Sequence, residues 1–269
     1  MTPLLTVLLA CLGVGVLAGF LAGLLGVGGG LVIVPALLLV FDALGLAQAH
    51  AQHLALGTSL ATIVVTSLSS LRAHHAHGAV RWPVFRAISP GIVLGTFLGA
   101  QLAGLADATL LKWCFVLFAY AVAAQMLLDA RPRPQRVLPG ATVLAAWGGL
   151  IGAVSSWVGI GGGSLSVPLL SWHNVPVKEA IGTSAAIGLP IALAGSAGYA
   201  VSGWGVPGLP QGSVGFIYLP ALLGIALASF PLAKAGAALA HRLPVAVLKR
   251  CFAVLLLLLA SRMLWQLLG

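Results

Sequence analysis

A glycine triplet that interrupts an apolar run, and does so twice, narrows most sharply what this chain can become. The first copy is Gly26-Val27-Gly28-Gly29-Gly30-Leu31-Val32-Ile33-Val34-Pro35. The second is Gly159-Ile160-Gly161-Gly162-Gly163-Ser164-Leu165-Ser166-Val167-Pro168, with the same spacing from triplet to proline. Glycine is costly inside a helix and proline removes a backbone donor there. Val and Ile favour extended backbone. Each copy therefore predicts a helix that stops at the glycines, an unwound stretch, and a new helix starting at Pro35 or Pro168, where the missing N–H of proline would have had no partner anyway.

The surrounding composition names the solvent. The chain of 269 residues is 60% hydrophobic and only 6% charged, which excludes a soluble domain and indicates a polytopic membrane protein. The formal charge of +9 comes from basic residues scattered in short loops. It reads as topology information, not as a nucleic-acid surface. Cys11, Cys114 and Cys251 all lie in apolar runs, so neither a disulfide framework nor metal-ligand spacing is present. Leu8-Leu9-Ala10-Cys11 resembles a lipoprotein cleavage site, but no positive residue precedes it and the apolar run continues. An uncleaved first helix is the expectation.

Unwound backbone at membrane depth persists only where protein covers it or where it lines a wet cavity. A helix that begins there directs free N–H groups and a positive dipole end at whatever fills the cavity. Two such elements, one in each half, are how many secondary transporters build a substrate site.

Ten apolar segments lie near 3–25, 31–47, 55–71, 84–105, 110–129, 138–158, 164–173, 181–202, 215–236 and 245–268. The second of each five is short enough to be a re-entrant half-helix, so six to ten true spans are compatible with the sequence. The halves match again at Gly57-Thr58-Ser59 and Gly182-Thr183-Ser184, and at Leu111–Phe115 and Leu248–Phe252. This predicts an internal repeat, residues 1–130 and 138–269, joined by a basic cytoplasmic linker, 131–137, with Arg131, Arg133 and Arg136. The loop from Arg72 to Arg86 is basic, its counterpart Ser202–Ser213 carries no charge, and the bias is reversed at Lys234–Arg250. Five segments per half would turn the second copy over, which predicts inverted repeats with both termini outside; Arg262 counts weakly against this. The expected fold class is thus an all-α integral membrane protein, a polytopic helical bundle of two inverted repeats with broken or re-entrant helices at the Gly-rich motifs.

Asn174 and Pro176 read as the cap and first turn of the eighth segment. Thr183 would then lie ~14 Å along it, about half of a ~30 Å hydrocarbon core. Thr58 and Ser59 should reach similar depth in the inverted copy. The expected substrate site is therefore Gly28, Gly29, Gly30, Thr58 and Ser59 with Gly161, Gly162, Gly163, Thr183 and Ser184. Hydroxyls and amides donate hydrogen bonds to a small oxyanion without clamping it with full charge. The competing role for each hydroxyl is to bond its own helix or a neighbouring one. The acids are Asp42, Asp107, Asp129 and Glu179. Glu179 reads as a residue complementing a helix dipole, and no apolar run holds a central carboxylate for proton coupling. His74, His75 and His77 read as solvated residues of a basic loop, with no metal site assigned. His50, Gln52 and His53 are placed at the outer vestibule. Neither a Walker motif nor a Ser/His/Asp or Cys/His set occurs, and the glycines lack the strand–helix–strand setting of a dinucleotide loop. An enzyme is not expected, and no cofactor is assigned.

The duplicated Gly-triplet…Pro with Gly-Thr-Ser, the basic mid-chain linker and the overall length resemble the sulfite exporter TauE/SafE family of bacterial membrane proteins. The resemblance covers nearly the whole chain. It implies transport of a small sulfur-containing anion, sulfite or an organosulfonate, across the inner membrane, commonly outward, by alternating access between the halves. This chain has Leu60 after one Gly-Thr-Ser and Ala185 after the other. The implied partners are the small oxyanion substrate and the lipid bilayer, with no nucleic acid; homo-oligomerisation is left open. A passive anion channel on the same scaffold is the alternative, followed by a metal exporter and a membrane-embedded enzyme or assembly factor.

Overall fold

The computed structural model describes residues 3–25, 29–46, 49–128, 137–240 and 245–268. Gly26, Gly28 and the linker with Arg131, Arg133 and Arg136 lie outside the described residues. The described chain is almost wholly helical: α1 (Pro3–Leu25), α2 (Gly30–Ala43), α3 (Ala51–Ala76), α4 (Trp82–Leu105), α5 (Ala108–Leu127), α6 (Ala141–Val158), α7 (Gly163–Trp172), α8 (Val177–Ser202), α9 (Leu219–Ala240) and α10 (Val245–Leu268). This is the all-α polytopic membrane architecture expected from composition. Among the described residues, α3, α4, α5, α6, α8 and the Arg250–Leu268 stretch of α10 have the length and hydropathy to cross a bilayer. α2 and α7, with 14 and 10 residues, rise only ~21 and ~15 Å, short of a ~30 Å core. Both are half-helices.

The chain breaks where the glycines are, but the helices do not restart at the prolines. α2 begins at Gly30 and α7 at Gly163, and Pro35 and Pro168 lie inside them. Only one intrahelical bond is lost at each proline. The β-branched residues before Pro35 are helical because packing outweighs their intrinsic preference: Val32 and Val34 are fully buried. Gly29 caps α2 at φ 70° and Gly159 ends α6 at φ 72°, a left-handed backbone that favours glycine. The eighth helix also starts later than the Asn174 reading implies. Its N-cap is Pro176, while Asn174 turns the chain at φ 59°.

Without a hydrophobic force between helices in lipid, close backbone approach through small residues is what holds them. α1 lies along α9, and α4 along α6. On α4, Gly91 abuts Ala145, Gly95 abuts Gly149 and Gly99 abuts Ala153 of α6, so the two helices run parallel. On α1, Gly15 abuts Ile225 and Gly19 abuts Ser229 of α9, in the same sense. α3 and α8 cross antiparallel, with Gly195 beside Leu60 and Gly188 beside Ser67. Matching α1 with α6, α3 with α8 and α4 with α9 exchanges the first two contacts and maps the third onto itself.

One element has no counterpart in the sequence expectation. Between α8 and α9, Ser213–Val214 (β1) and Ile217–Tyr218 (β2) pair antiparallel as a minimal hairpin, with Gly215 and the buried Phe216 at its tip. Placing a Cβ on Gly91 would drive it into the Ala145 carbonyl. Gly91→Ala is therefore expected to destabilise the α4–α6 contact by about 1–3 kcal/mol, the usual cost of overpacking, read as a lower unfolding temperature in detergent. Gly140→Ala, where a Cβ meets nothing within 4 Å, serves as the control.

Candidate functional site

The two glycine breaks meet. A Cβ on Gly30 would strike the Gly159 carbonyl and the Ile160 Cα, so the start of α2 is pressed backbone to backbone against the link between α6 and α7. Leu56 and Val34 close over Gly159, Ile63 lies against Gly30 and Gly161, and Ile187 and Ile191 lie against Gly162. Gly30, Gly161 and Gly162 are buried, and Gly163 is half-buried. The first amides of α2 and α7 have no carbonyl behind them in their own helices. The structure thus brings Gly30 against Gly159 and Ile160, the link that leads into Gly161–Gly163, with Ile63 touching both Gly30 and Gly161.

The four hydroxyls do not converge as a set. Because α3 and α8 are antiparallel, Thr58 and Thr183 stand ~9–10 Å into their helices from opposite ends. Each does the same work for the other half of the chain. The Tyr218 amide donates to Thr58 Oγ1 at 3.0 Å, and the Arg81 amide donates to Thr183 Oγ1 at 2.9 Å. Gly57 rests against the Phe216 carbonyl and Gly182 against the Ala79 carbonyl. Gly-Thr is therefore a clasp, in which the glycine admits the carbonyl of one residue and the threonine takes the amide two residues on. The clasped strand leads into α9 in one case and α4 in the other. The common midplane depth expected for the two threonines rests on a helix start at Asn174, whereas α8 starts later and the inversion sets the pair apart.

The serines next to them do reach the breaks. Ser59 Oγ donates to the Gly159 carbonyl at 2.8 Å, and Ser184 Oγ shares a 2.7 Å hydrogen bond with Ser166 Oγ of α7. Ser166, absent from the expected set, also donates to the Gly162 carbonyl. Its position three residues after Gly163 is where a first-turn hydroxyl would be sought.

The two ends are closed differently. On the Thr183 side Arg81 forms an ion pair with Glu179, in the first turn of α8. Glu179 thus has a cross-repeat partner in addition to the helix dipole. On the Thr58 side the hairpin tip closes the structure. Phe216 stacks on His53 at 4.9 Å, packs at 5.8 Å from His50, and its amide donates to the Tyr199 carbonyl at 3.0 Å. His53 Nε2 donates to the carbonyls of Ala103 and Ala106, both at 3.1 Å. Gln52 is fully buried. His53 and Gln52 thus pack beneath a plug and do not line an open vestibule. A run of glycines, Gly203, Gly205, Gly208, Gly212 and Gly215, was the signal for that plug. His75 packs edge-on to Trp82, and His77 Nδ1 donates to the Ala73 carbonyl. No group of three His, Cys, Asp or Glu side chains is placed to hold a metal ion among the described residues.

Replacing Thr58 or Thr183 by Val keeps the shape and strands one amide, buried at Tyr218 and part-buried at Arg81. Each substitution is expected to cost about 1–3 kcal/mol, measured by chemical or thermal unfolding of the detergent-solubilised protein, with the two threonines giving similar losses.

The geometry agrees with what the chain is similar to. The family described as "Sulfite exporter TauE/SafE" matches residues 11–263. A "Probable membrane transporter protein" of Haemophilus influenzae is 41% identical over 260 residues, covering 96% of this chain and 98% of that protein. The "Probable membrane transporter protein YunE" of Bacillus subtilis is 27% identical over 272 residues, 94% of this chain and 95% of its own. A "Probable membrane transporter protein MJ0441" of Methanocaldococcus jannaschii is 30% identical over 182 residues, 65% of each chain. No solved structure matches significantly. With a match over nearly its whole length, breaks that meet in a buried interior and six helices fit to cross a bilayer, this chain belongs to the sulfite exporter TauE/SafE family and is a membrane transporter.

Proposed function

We propose that the chain carries a small sulfur-containing oxyanion, sulfite or an organosulfonate, across the inner membrane, in the direction of export, by alternating access between two inverted halves, 1–130 and 138–269. The observation that carries the reading is the meeting of the two breaks. The helix start at Gly30 packs on the Gly159–Ile160 link that leads into α7, and the side chains around this link are hydroxyl or aliphatic. Hydrogen-bond donors without full charge suit an anion that must be bound and then let go. In this reading Gly28–Gly30 and Gly161–Gly163 supply backbone donors, and Ser59 and Ser184 orient the ligand. Thr58 and Thr183 act through the clasps that tie each half to the entry of α9 or α4.

Inversion is supported by the antiparallel crossing of α3 and α8 and by the exchange of the α1–α9 and α4–α6 contacts. α3 runs to Ala76 and α4 starts at Trp82, so the expected Arg72–Arg86 loop is only 77–81, and the Arg81–Glu179 pair puts that connection and the start of α8 on one side. That side gathers Arg72, Arg81, Arg86 and Lys178, which supports a cytoplasmic assignment for it and both termini outside. The two closures, an ion pair at one end and an aromatic plug at the other, are the places where access would alternate.

The experiment is flux of labelled sulfite in proteoliposomes. Wild type should show saturable uptake accelerated by counterflow. Gly162→Leu, whose side chain would run into Ile187 and Ile191, should bring flux to background while the protein still inserts. Flux proportional to concentration without counterflow would identify a channel, and full activity of the leucine variant would remove the site.

A further inference from the structure

We infer that the two breaks are not equal partners: the anion rests at the second, between α6 and α7, and the site is built for an oxyanion bearing a single charge. This rests on the transport reading above and locates its ligand within that site.

The start of α2, which follows the first break, is enclosed and apolar. Leu31, Val32, Ile33 and Val34, the first turn of α2, are all at most 2% exposed. At the positions matching Leu31 and Ile33 the second break has Ser164 and Ser166. It is also preceded by Ser155 and Ser156, where the first has Ala22 and Gly23.

Two of these serines are unsatisfied. Ser155 is fully buried, and the Oγ atoms of Ser155 and Ser164 are shielded from solvent without a hydrogen-bond partner among the described residues. Ser155 is at the end of α6, where its carbonyl accepts the Gly159 amide at 2.9 Å and the Ile160 amide at 3.1 Å. It lies one turn after Ile151 on the same helix face. Ile151 also borders an open, wholly apolar groove between α6 and α7, with Leu165 and Trp172 on its other wall. Ser155 thus precedes the glycine link in the last turn of α6, and Ser164 follows it in the first turn of α7. Buried hydroxyls are normally bonded, and orphaned ones call for a ligand. The serines of both Gly-Thr-Ser motifs also lead here: Ser59 bonds Gly159, and Ser184 bonds Ser166.

Residues 151–172 contain no charged side chain, and neither do 57–63 or 182–191. Desolvation rises steeply with charge. Without a cation nearby, hydroxyls and amides can offset the cost for a monoanion far better than for a dianion. A sulfonate or hydrogen sulfite fits, and sulfate does not.

The test uses the full chain in proteoliposomes with labelled methanesulfonate and labelled sulfite. Ser155→Ala and Ser164→Ala are each expected to raise KM about 5–10-fold. Ser164→Thr, which keeps the hydroxyl, should stay near wild type. Ser89→Ala and Ser196→Ala serve as controls, because those hydroxyls bond the Phe85 and Ala192 carbonyls of their own helices; their KM should not move. Excess methanesulfonate should compete with sulfite and excess sulfate should not. Insertion of every variant is checked by its size-exclusion profile. Unchanged KM in both alanine variants, or equal competition by sulfate, overturns the inference while leaving transport standing. A wild type that moves neither probe overturns the transport reading beneath it.

Discussion

Backbone covered across the two halves, by close packing at the glycines and by hydroxyls that bond it, is the constraint from which the rest of this structure follows. A bilayer interior supplies no water to an unpaired amide, so a chain that unwinds there must cover what it exposes. Here Gly30 is pressed on Gly159 and Ile160, and the segments entering α4 and α9 are held by Thr183 and Thr58. Each threonine belongs to one half and grips the other. The arrangement makes the halves mutually dependent: neither can bury its own helix entry alone.

The same contacts set where motion is permitted. Glycine-lined contacts such as α4–α6 and α1–α9 bring helix backbones together over several turns, which favours displacement as rigid pairs. α2 is buried along most of its length, whereas α7 is largely half-buried. The ends differ in chemistry as well as position, with Arg81 and Glu179 at one and Phe216 on His53 at the other. A duplicated plan with unlike closures gives a transporter two ends that need not respond to the same conditions.

Much of this was legible in the residues. Apolar runs of sufficient length, punctuated by glycine triplets at equal spacing from a proline, identify a membrane protein with two short helices, and α2 and α7 are those helices. The positions of the breaks were readable because glycine has no rival at φ 70° and 72°, as at Gly29 and Gly159. Helix restarts were not, since a proline inside a helix costs one hydrogen bond and tight packing of Val32 and Val34 offsets it. Thr58 and Thr183 stand out in the sequence as special, yet for a different task. A hydroxyl in an apolar helix announces a polar partner without saying whether that partner is a ligand or an amide from another half of the chain.

By itself, then, the sequence determined the solvent, the recurrence of the glycine motif, the breaks and the family, because these depend on local composition and on spacing along the chain. Only the tertiary structure decided that the breaks touch, that the threonines clasp while the serines reach the glycines, and that Phe216 plugs one end. Those outcomes depend on which backbone lies within 3 Å of which hydroxyl, and separations of 100 residues or more between such partners leave no trace in any local pattern.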